Sequence, residues 1–419
     1  MLPSPEERKR LRAEKAAQRA EKQKKRLRIQ LIAAAVVLVA CGGLIFGLSR
    51  KAPQPDAPNT QPSTQEETTQ PADSKPSTTT IHYAAVGDLN INDATVAAGG
   101  ASYIYTDAFL DVAHLLADAD ISSVNFEGNL VGEPYGSSFS APQSMLSALQ
   151  KAGVDLVQMA NSYSINRGVS GLVSSIDAIR AAGMEPLGAY ASNEEFRQNK
   201  GYTIRTIDGI KIAFVAFTKG MDGMALPPGS EKCVNVLYSD YDSVYQEIDK
   251  EKITSILNAV SKAKPDITIA LLHWGSEFNN TISESQADIV ELMQAGGVDA
   301  IIGTHSHYVQ KMTFDPEKGQ FVAYSLGDFF SDASRAGSEY SVVLDLEITK
   351  DNRTGKAKIT NYSYVPIFTV HEEGSPLRVV RIAEAMAAFE SGYYQSVSQE
   401  TYNKMAYALT RIADRVAGN

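Results

Sequence analysis

The sequence is poor in the residues that form covalent cross-links and metal clusters. Its 419 residues include two cysteines, one tryptophan and six histidines. Two cysteines cannot build a disulfide framework, and because Cys41 and Cys233 lie in segments of different character, we expect no disulfide between them. The few histidines are unevenly spread, since His305 and His307 are separated by a single residue.

Positive charge is scarce in most of the chain. The formal net charge is -10, yet residues 1–28 carry eleven Lys and Arg against four Glu, a local charge of +7 that leaves -17 on the remainder. A main domain this acidic argues against nucleic acid as its partner. Segment 1–28 is predicted to be a solvated basic tail on the cytoplasmic side of a membrane.

One long stretch has no charged residue, from Leu31 to Leu48. At ~1.5 Å per residue it would span about 27 Å as a helix, close to the hydrocarbon thickness of a bilayer. It predicts a single-pass bacterial membrane anchor over 29–48, with everything after it extracellular. A cleaved signal peptide is one alternative. A lipoprotein is another, with Cys41 bearing the lipid, and both alternatives also place the main domain outside the cytoplasm.

After the anchor, the composition changes twice. Residues 49–80 are rich in Pro, Ser, Thr and Gln with few large apolar side chains, which predicts a disordered linker. From Ile81, short apolar runs alternate with helical patterns, which is typical of a layered α/β domain. We predict that domain over 81–372 and a C-terminal helical extension over 373–419.

Polar residues that can bind metals follow several of the predicted strands. Chemistry in open α/β sheets lies at the carboxyl ends of the strands. Each residue alone has an ordinary explanation, such as a turn cap, a solvated carboxylate or a packed histidine. Together they are donors for one or two divalent cations, and two cations a few ångströms apart can clamp a phosphoryl centre. The residues in question are Asp88, Glu127, Asn161, His273, His305 and His307.

Seven short segments contain or flank the candidate ligands. In chain order they are Ala85-Val86-Gly87-Asp88, Val124-Asn125-Phe126-Glu127-Gly128, Ala160-Asn161 with Gly168, Phe217 to Gly223, His273-Trp274-Gly275-Ser276-Glu277, Gly303 to Gln310, and Tyr324 to Phe329. These motifs, in this order, resemble those of the CapA family, named for poly-γ-glutamate capsule synthesis. The resemblance runs over roughly Ile81 to Val370.

The resemblance implies an α/β sandwich of the calcineurin-like metallophosphatase type. It also implies a divalent metal cofactor, one or two ions, with Mn, Fe, Zn and Mg not distinguished. The metal ligands it implies are Asp88, Glu127, His273, His305, His307 and Ser162. The catalytic residues it implies are His305, Tyr163 and Asn161.

The sequence departs from the family pattern within the site itself. Ser162 stands where the family has a metal-binding Asn, Tyr163 where it has a His, and Asn166 where it has an Asp. Asn92 replaces a His, and Asp328 replaces an Asn. Tyrosine donates a hydrogen bond but is neutral at pH 7, and losing one stabilising donor commonly costs ~10²–10³ in rate. We therefore expect a metal site that is partly kept and catalytic machinery that is partly lost.

Three hypotheses follow. The protein is a metal-dependent hydrolase acting outside the membrane on a phosphoester or an amide-linked polymer. Alternatively, it is a non-catalytic envelope protein that holds a surface polymer or a membrane synthase partner. In the third, the metal is purely structural. The polymer expected from the resemblance is anionic, such as poly-γ-glutamate, or a phosphorylated envelope substrate.

Overall fold

The computed structural model describes residues 77–392 and 397–418. The predicted tail 1–28, the anchor 29–48 with Cys41, and the linker as far as residue 76 lie outside the described residues. Within the described part of the chain, no helix combines the length and apolar character needed to cross a membrane.

The described chain alternates strands and helices. The strands are β1 (Thr78–Asn90), β2 (Ile121–Glu127), β3 (Leu156–Gln158), β4 (Glu185–Leu187), β5 (Thr203–Ile207), β6 (Ile210–Thr218), β7 (Ile267–His273), β8 (Ala300–Thr304), β9 (Met312–Asp315), β10 (Gln320–Ala323), β11 (Asp328–Phe330), β12 (Tyr340–Asp351), β13 (Ala357–Val370) and β14 (Arg378–Arg381). The helices are α1 (Asp93–Ala97), α2 (Ala113–Ala117), α3 (Gln143–Ala152), α4 (Gly168–Ala181), α5 (Asn193–Asn199), α6 (Lys250–Ala263), α7 (Glu284–Ala295), α8 (Ile382–Glu390) and α9 (Gln399–Ala417).

These strands form two mixed sheets. Sheet I has the order β14-β13-β12-β1-β2-β3-β4, with β11 pairing beside the end of β1. Sheet II has the order β5-β6-β7-β8-β10-β9. The runs β1 to β4 and β6-β7-β8-β10 are parallel, as expected where helices provide the crossovers. The α/β fold class predicted from the sequence is confirmed.

The two sheets pack face to face, and strand alternation assigns side chains to the two faces of sheet II. Phe214 of β6 points toward sheet I, where its ring centroid lies 5.6 Å from that of Tyr83. Val215, the next residue, lies on the opposite face with Ile253 of α6 and Ile289 of α7. Period-two alternation therefore fills one core between the sheets and a second beneath the helices.

One predicted helix is shorter than the sequence suggests. The pattern predicts a helix over Tyr241–Lys262, but α6 begins at Lys250. The Asp249 carboxylate accepts a hydrogen bond from the Lys252 backbone N–H at 2.9 Å and so caps the helix. Upstream, Asp240 accepts hydrogen bonds from two backbone amides of the following turn. Local side-chain bonds stabilise turns there in place of helix.

The C-terminal segment also differs from its prediction. The sequence predicts a helical segment over 373–419, but β14 adds a strand to the edge of sheet I before α8 and α9 begin. Within that segment the sequence pattern predicts a helix over Thr401–Val416, and α9 contains it. At the other end, β1 begins at Thr78 and therefore takes up the last residues assigned to the linker.

A close backbone approach joins β1 to β11. Asp88 N donates to Gly327 O at 3.0 Å, and Asp88 pairs with Asp328 across the two strands. A Cβ at position 87 would overlap the Gly327 carbonyl oxygen, so only glycine permits this distance. The sequence predicts that β1 ends at Gly87, but the strand continues to Asn90. Gly87 therefore brings the two aspartates side by side.

We predict that Gly87→Ala destabilises the protein by about 3 kcal/mol or more, because the added methyl has no space beside Gly327. Gly355→Ala is the matched control, since that glycine has a positive φ of 73° but no atom within 4 Å of an added Cβ. It should cost only about 1–2 kcal/mol. Urea unfolding measures both. Equal losses in the two variants would contradict the proposed close approach.

Candidate metal centre

The carboxyl ends of strands from both sheets meet at one edge of the sandwich. Two groups of three side chains lie there, and the ligand atoms within each group are within 4.8 Å of one another. All of these side chains are buried. The first group is Asp88, His307 and Asp328, and the second group is Asp88, Glu127 and His273. We call these two sets of side chains the metal groups. Asp88 belongs to both groups, as a carboxylate that bridges two cations would.

Asp88 is held in place by donors from each sheet. Its Oδ1 accepts a hydrogen bond from Asn125 Nδ2 at 2.7 Å, and its Oδ2 accepts one from the backbone N–H of His305 at 2.9 Å. His307 Nδ1 lies 3.8 Å from the same Oδ2. The carboxylate is therefore oriented before any ion binds.

The two histidines after β8 occupy an unusual backbone. His305 and His307 have φ values of 88° and 60°, in the left-handed region that L-residues seldom adopt. Such conformations are costly and persist where the surroundings enforce them, often at functional sites. His307 Nδ1 lies 2.7 Å from Asp328 Oδ1, and the His307 ring stacks on Phe278 with centroids 4.8 Å apart. These contacts fix the imidazole in the first group.

His305 is placed beside the second group. Its ring centroid lies 4.4 Å from that of His273. Its Nε2 atom is buried and has no hydrogen-bond partner among the residues that the structure describes. A buried nitrogen without a partner is costly in a protein interior. An ion in this site would supply the missing partner.

The C-terminal helix supports the same loop. The guanidinium carbon of Arg415, in α9, lies 4.7 Å from the ring centroid of Tyr308 and 5.2 Å from that of Tyr340. Tyr308 directly follows His307. Cation–π contacts of this kind are worth roughly 0.5–2 kcal/mol. Helix α9 thus packs against the chain that carries the imidazole.

Asn125 is a central residue that sequence reasoning did not assign to the site. Its Nδ2 lies 2.7 Å from Asp88 Oδ1, 3.1 Å from Glu127 Oε1 and 3.2 Å from His273 Nδ1. Asn161 Nδ2 donates to Asn125 Oδ1 at 3.1 Å, which sets the direction of the Asn125 amide. Asn125 lies within one of the family motifs, but an amide inside a strand carries no signal of its own.

The residues that depart from the family pattern lie close to these groups. Ser162 Oγ is 3.1 Å from His273 Nε2. Tyr163 is half-buried and stacks on Phe139 with ring centroids 4.5 Å apart. Burial, together with the negative charge of Glu127 and other carboxylates, raises the pKa of Tyr163. Its phenol therefore stays neutral, as the sequence predicts.

Burial shapes the charge state of the ligands. It raises the pKa of Asp88 to about 6, an effect reinforced by Asp328 and opposed by His307. Burial, then Asp88, raises the pKa of Glu127 well above its ordinary value. Burial also lowers the pKa of His273 well below its ordinary value, so this imidazole is neutral.

His307 differs from the other imidazoles. Burial disfavours its charged form, but Asp328, together with Glu127 and Asp88, outweighs that effect and raises the pKa of His307 well above its ordinary value. Metal binding requires neutral imidazoles and ionised carboxylates, so a cation bound here would displace the proton of His307. The donor set of carboxylate oxygens and imidazole nitrogens suits Mn, Fe, Zn or Mg in principle, and its clustered buried carboxylates favour a cation. The residues present therefore fit a divalent metal.

A family model described as "Bacterial capsule synthesis protein PGA_cap" matches residues 82–333, more than half of the chain. The chain belongs to this family. It is 27% identical over 280 residues to the capsule biosynthesis protein CapA of Bacillus anthracis, covering 64% of this chain and 62% of that protein. It is 24% identical over 216 residues to the PGA biosynthesis protein CapA of Bacillus subtilis strain 168, covering 51% of each.

The match thus spans less than two thirds of the length of either relative. Among solved structures, the chain is similar to the calcineurin-like phosphoesterase YfkN from Bacillus subtilis. The TM-score is 0.43 at 15% identity, with 80% of this chain and 98% of that chain covered. This likeness concerns the fold alone.

In this PGA_cap protein, the structure places the predicted site residues as follows. Asp88, Glu127, His273 and His307 are brought together in the two groups. Four others, His305, Ser162, Asn161 and Tyr163, lie around the groups, and their assigned roles stay predictions. Asp328 was treated only as a departure from the family's Asn, although Gly327-Asp328 repeats the Gly-Asp pair of β1 and so carried a usable signal.

We predict that Asp328→Ala weakens Mn²⁺ binding about 100-fold or more, because it removes one of three donors from the first group. The matched control is Asp299→Ala. Asp299 is also a largely buried carboxylate, with its pKa raised to about 6 by burial, but it accepts from Thr268 N at the other end of sheet II. Calorimetry of full-length protein measures the affinities. Unchanged Mn²⁺ affinity in Asp328→Ala would refute the first group.

Proposed function

We propose that this protein is a metal-dependent hydrolase that cleaves an anionic polymer of the cell envelope at a phosphoester or amide bond. The observation that carries the proposal is the sharing of Asp88 between two buried groups of carboxylate and imidazole donors. Shared carboxylates are the means by which proteins hold two divalent cations a few ångströms apart. The two groups together would therefore form a reaction centre and not only an isolated ion site.

The chain's own residues would hold the metal through Asp88, His307 and Asp328 in one group and through Asp88, Glu127 and His273 in the other. When bound, the metal supplies Lewis-acid polarisation of the scissile group and acidifies water. His305 lies beside the second group with a free, buried Nε2, which suits it to bind metal or to orient the reacting group. The Tyr163 phenol can donate a hydrogen bond but cannot supply positive charge.

The polymer class is inferred from the relatives. One is named for capsule biosynthesis and the other for PGA biosynthesis. The uncharged stretch 29–48, with the basic segment before it, suits a single-pass anchor that leaves the main domain outside. We accordingly propose a membrane-anchored, extracellular location, with a membrane synthase as a partner.

A second candidate function is favoured by the replaced residues. Ser162 is a poorer ligand than the family's Asn, and Tyr163 replaces a His that can carry charge. A site weakened in this way suits a protein that binds or anchors the polymer without cleaving it. The two functions share the fold and the metal and differ in turnover.

We expect the full-length protein loaded with Mn²⁺ to hydrolyse bis(p-nitrophenyl) phosphate or γ-linked polyglutamate. His305→Ala should lower that rate about 100-fold, because it removes a polar group from the reaction centre. His82→Ala is the control, since His82 pairs with Asp345 in sheet I and does not contact the metal groups. No turnover above the His305→Ala rate, on either substrate, would rule out the hydrolase.

We further expect the double substitution Ser162→Asn with Tyr163→His to raise turnover about 100-fold over the parent, because it returns a ligand and an ionisable donor to the site. Steady-state rates at equal metal loading make the comparison. If the parent is active and the double variant is no faster, the parent site was never impaired. The binding-only function then loses its support.

A further inference from the structure

Lys219 lies at the same edge of the sandwich as the metal groups. It directly follows β6, and its backbone N–H donates to the carbonyl of His273 at 2.8 Å. Its side chain is half-buried, with Nζ donating to Gly275 O at 3.1 Å and lying 4.9 Å from the ring centroid of Tyr245. Both the backbone and the side chain therefore tie Lys219 to the segment that carries a candidate metal ligand.

Among the residues that the structure describes, the ammonium of Lys219 forms no ion pair within 4.0 Å. Burial lowers the pKa of Lys219, and the more distant, exposed Glu277 and Asp222 offset part of this effect. The backbone hydrogen bond from Lys219 to the carbonyl of His273 places this residue beside the second group.

A half-buried ammonium without a paired anion is unfavourable, because it gives up hydration without an ionic partner. Such a group is retained at a cost in stability that a bound anion would recover. Lysine is a compact point charge with three donors and so suits an oxyanion of either carboxylate or phosphate type. One donor is used on Gly275, which leaves two directed elsewhere.

We propose that Lys219 is a substrate-binding residue that contacts an oxyanion of the polymer, a carboxylate or a phosphate, next to the metal groups. This inference rests on the proposed function, because it assigns the substrate's charge to a particular side chain. It also gives the site a positive charge, which the neutral Tyr163 cannot supply in place of the family's histidine. The polymer's negative charge is then bound by both the cations and the protein.

A purely structural role for Lys219 is the competing explanation, since its Nζ tethers Gly275. Lys219→Gln separates the two roles, because glutamine can still donate to that carbonyl but carries no charge. Lys219→Arg keeps the charge and should retain most of the binding.

Lys252 offers the matched control. It is likewise a largely buried lysine whose pKa is lowered by burial, and its Nζ donates to Val234 O at 3.5 Å. The charged neighbours that influence it are Asp249 and Lys232, and neither belongs to the metal groups. Lys252→Gln therefore removes an equivalent charge away from the site.

The test uses full-length protein loaded with Mn²⁺, titrated in separate arms with inorganic phosphate and with a short γ-linked glutamate oligomer. A charge-assisted hydrogen bond is worth about 1.5–3 kcal/mol, so Lys219→Gln should weaken binding of at least one oxyanion about tenfold or more. Mn²⁺ affinity and melting temperature should match the parent. Lys252→Gln should bind both oxyanions normally, and the arm most affected identifies the oxyanion.

The proposal is overturned if Lys219→Gln binds both oxyanions as tightly as the parent, if Lys252→Gln shows the same loss, or if the parent binds neither. Turnover keeps this inference separate from the proposed function. Lys219-dependent oxyanion binding without turnover would refute the hydrolase function but support the substrate-binding role of Lys219. Turnover with the same KM in Lys219→Gln as in the parent would support the hydrolase function and refute the substrate-binding role of Lys219.

Discussion

The burial of carboxylates at one edge of the sandwich is the constraint on which the site depends. Asp88, Glu127 and Asp328 are each at most 3% exposed. Placing ionised carboxylates out of water is strongly unfavourable unless they are paired. His307 pairs with Asp328, while Asn125 offers neutral N–H donors to the other two. A bound divalent cation would balance the remaining negative charge.

The same constraint links the site to the whole fold. Asp88 and Glu127 come from sheet I, whereas His273 and the segment after β8 come from sheet II. The ligands meet only when the two sheets are packed with their parallel strands ending at the same edge. Because no such arrangement exists in an unfolded chain, a bound metal would add to folding stability. The close contact of Gly87 with Gly327 and the packing of α9 on Tyr308 keep that edge in register.

This edge of the sandwich combines carboxylate and imidazole ligands with less positive charge than the family pattern provides, because Tyr163 replaces a histidine. Tyr163 stays neutral beside the metal groups, and Ser162 is hydrogen-bonded to His273. Lys219, on the neighbouring strand end, brings in a cation from a different part of the chain. The electrostatic potential at a site depends on where the charges lie in space and not on which strand carries them. A lysine after one strand can therefore contribute the positive charge that a histidine after another strand would have contributed.

Much of the fold and part of the site were accessible from the sequence alone. Short apolar runs predict the strands, and the Asp208-Gly209 pair predicts a hairpin turn, which the structure has between β5 and β6 with both residues at positive φ. The positions of His273 and His307, at or just past strand ends, made them candidates because parallel strands present their carboxyl ends together. The helix start at Lys250 was missed because local capping by Asp249 outweighed the periodic pattern.

Local order along the chain thus determined the α/β class, the motif sequence and most of the donor residues. Only the tertiary structure decided that Asp88 belongs to two groups, that Asp328 joins it, that Asn125 lies between Glu127 and His273, and that Lys219 borders them. The physical reason is that propensity and periodicity act over a few residues. Charge balance in a buried site, by contrast, is set by side chains from two sheets meeting within a few ångströms.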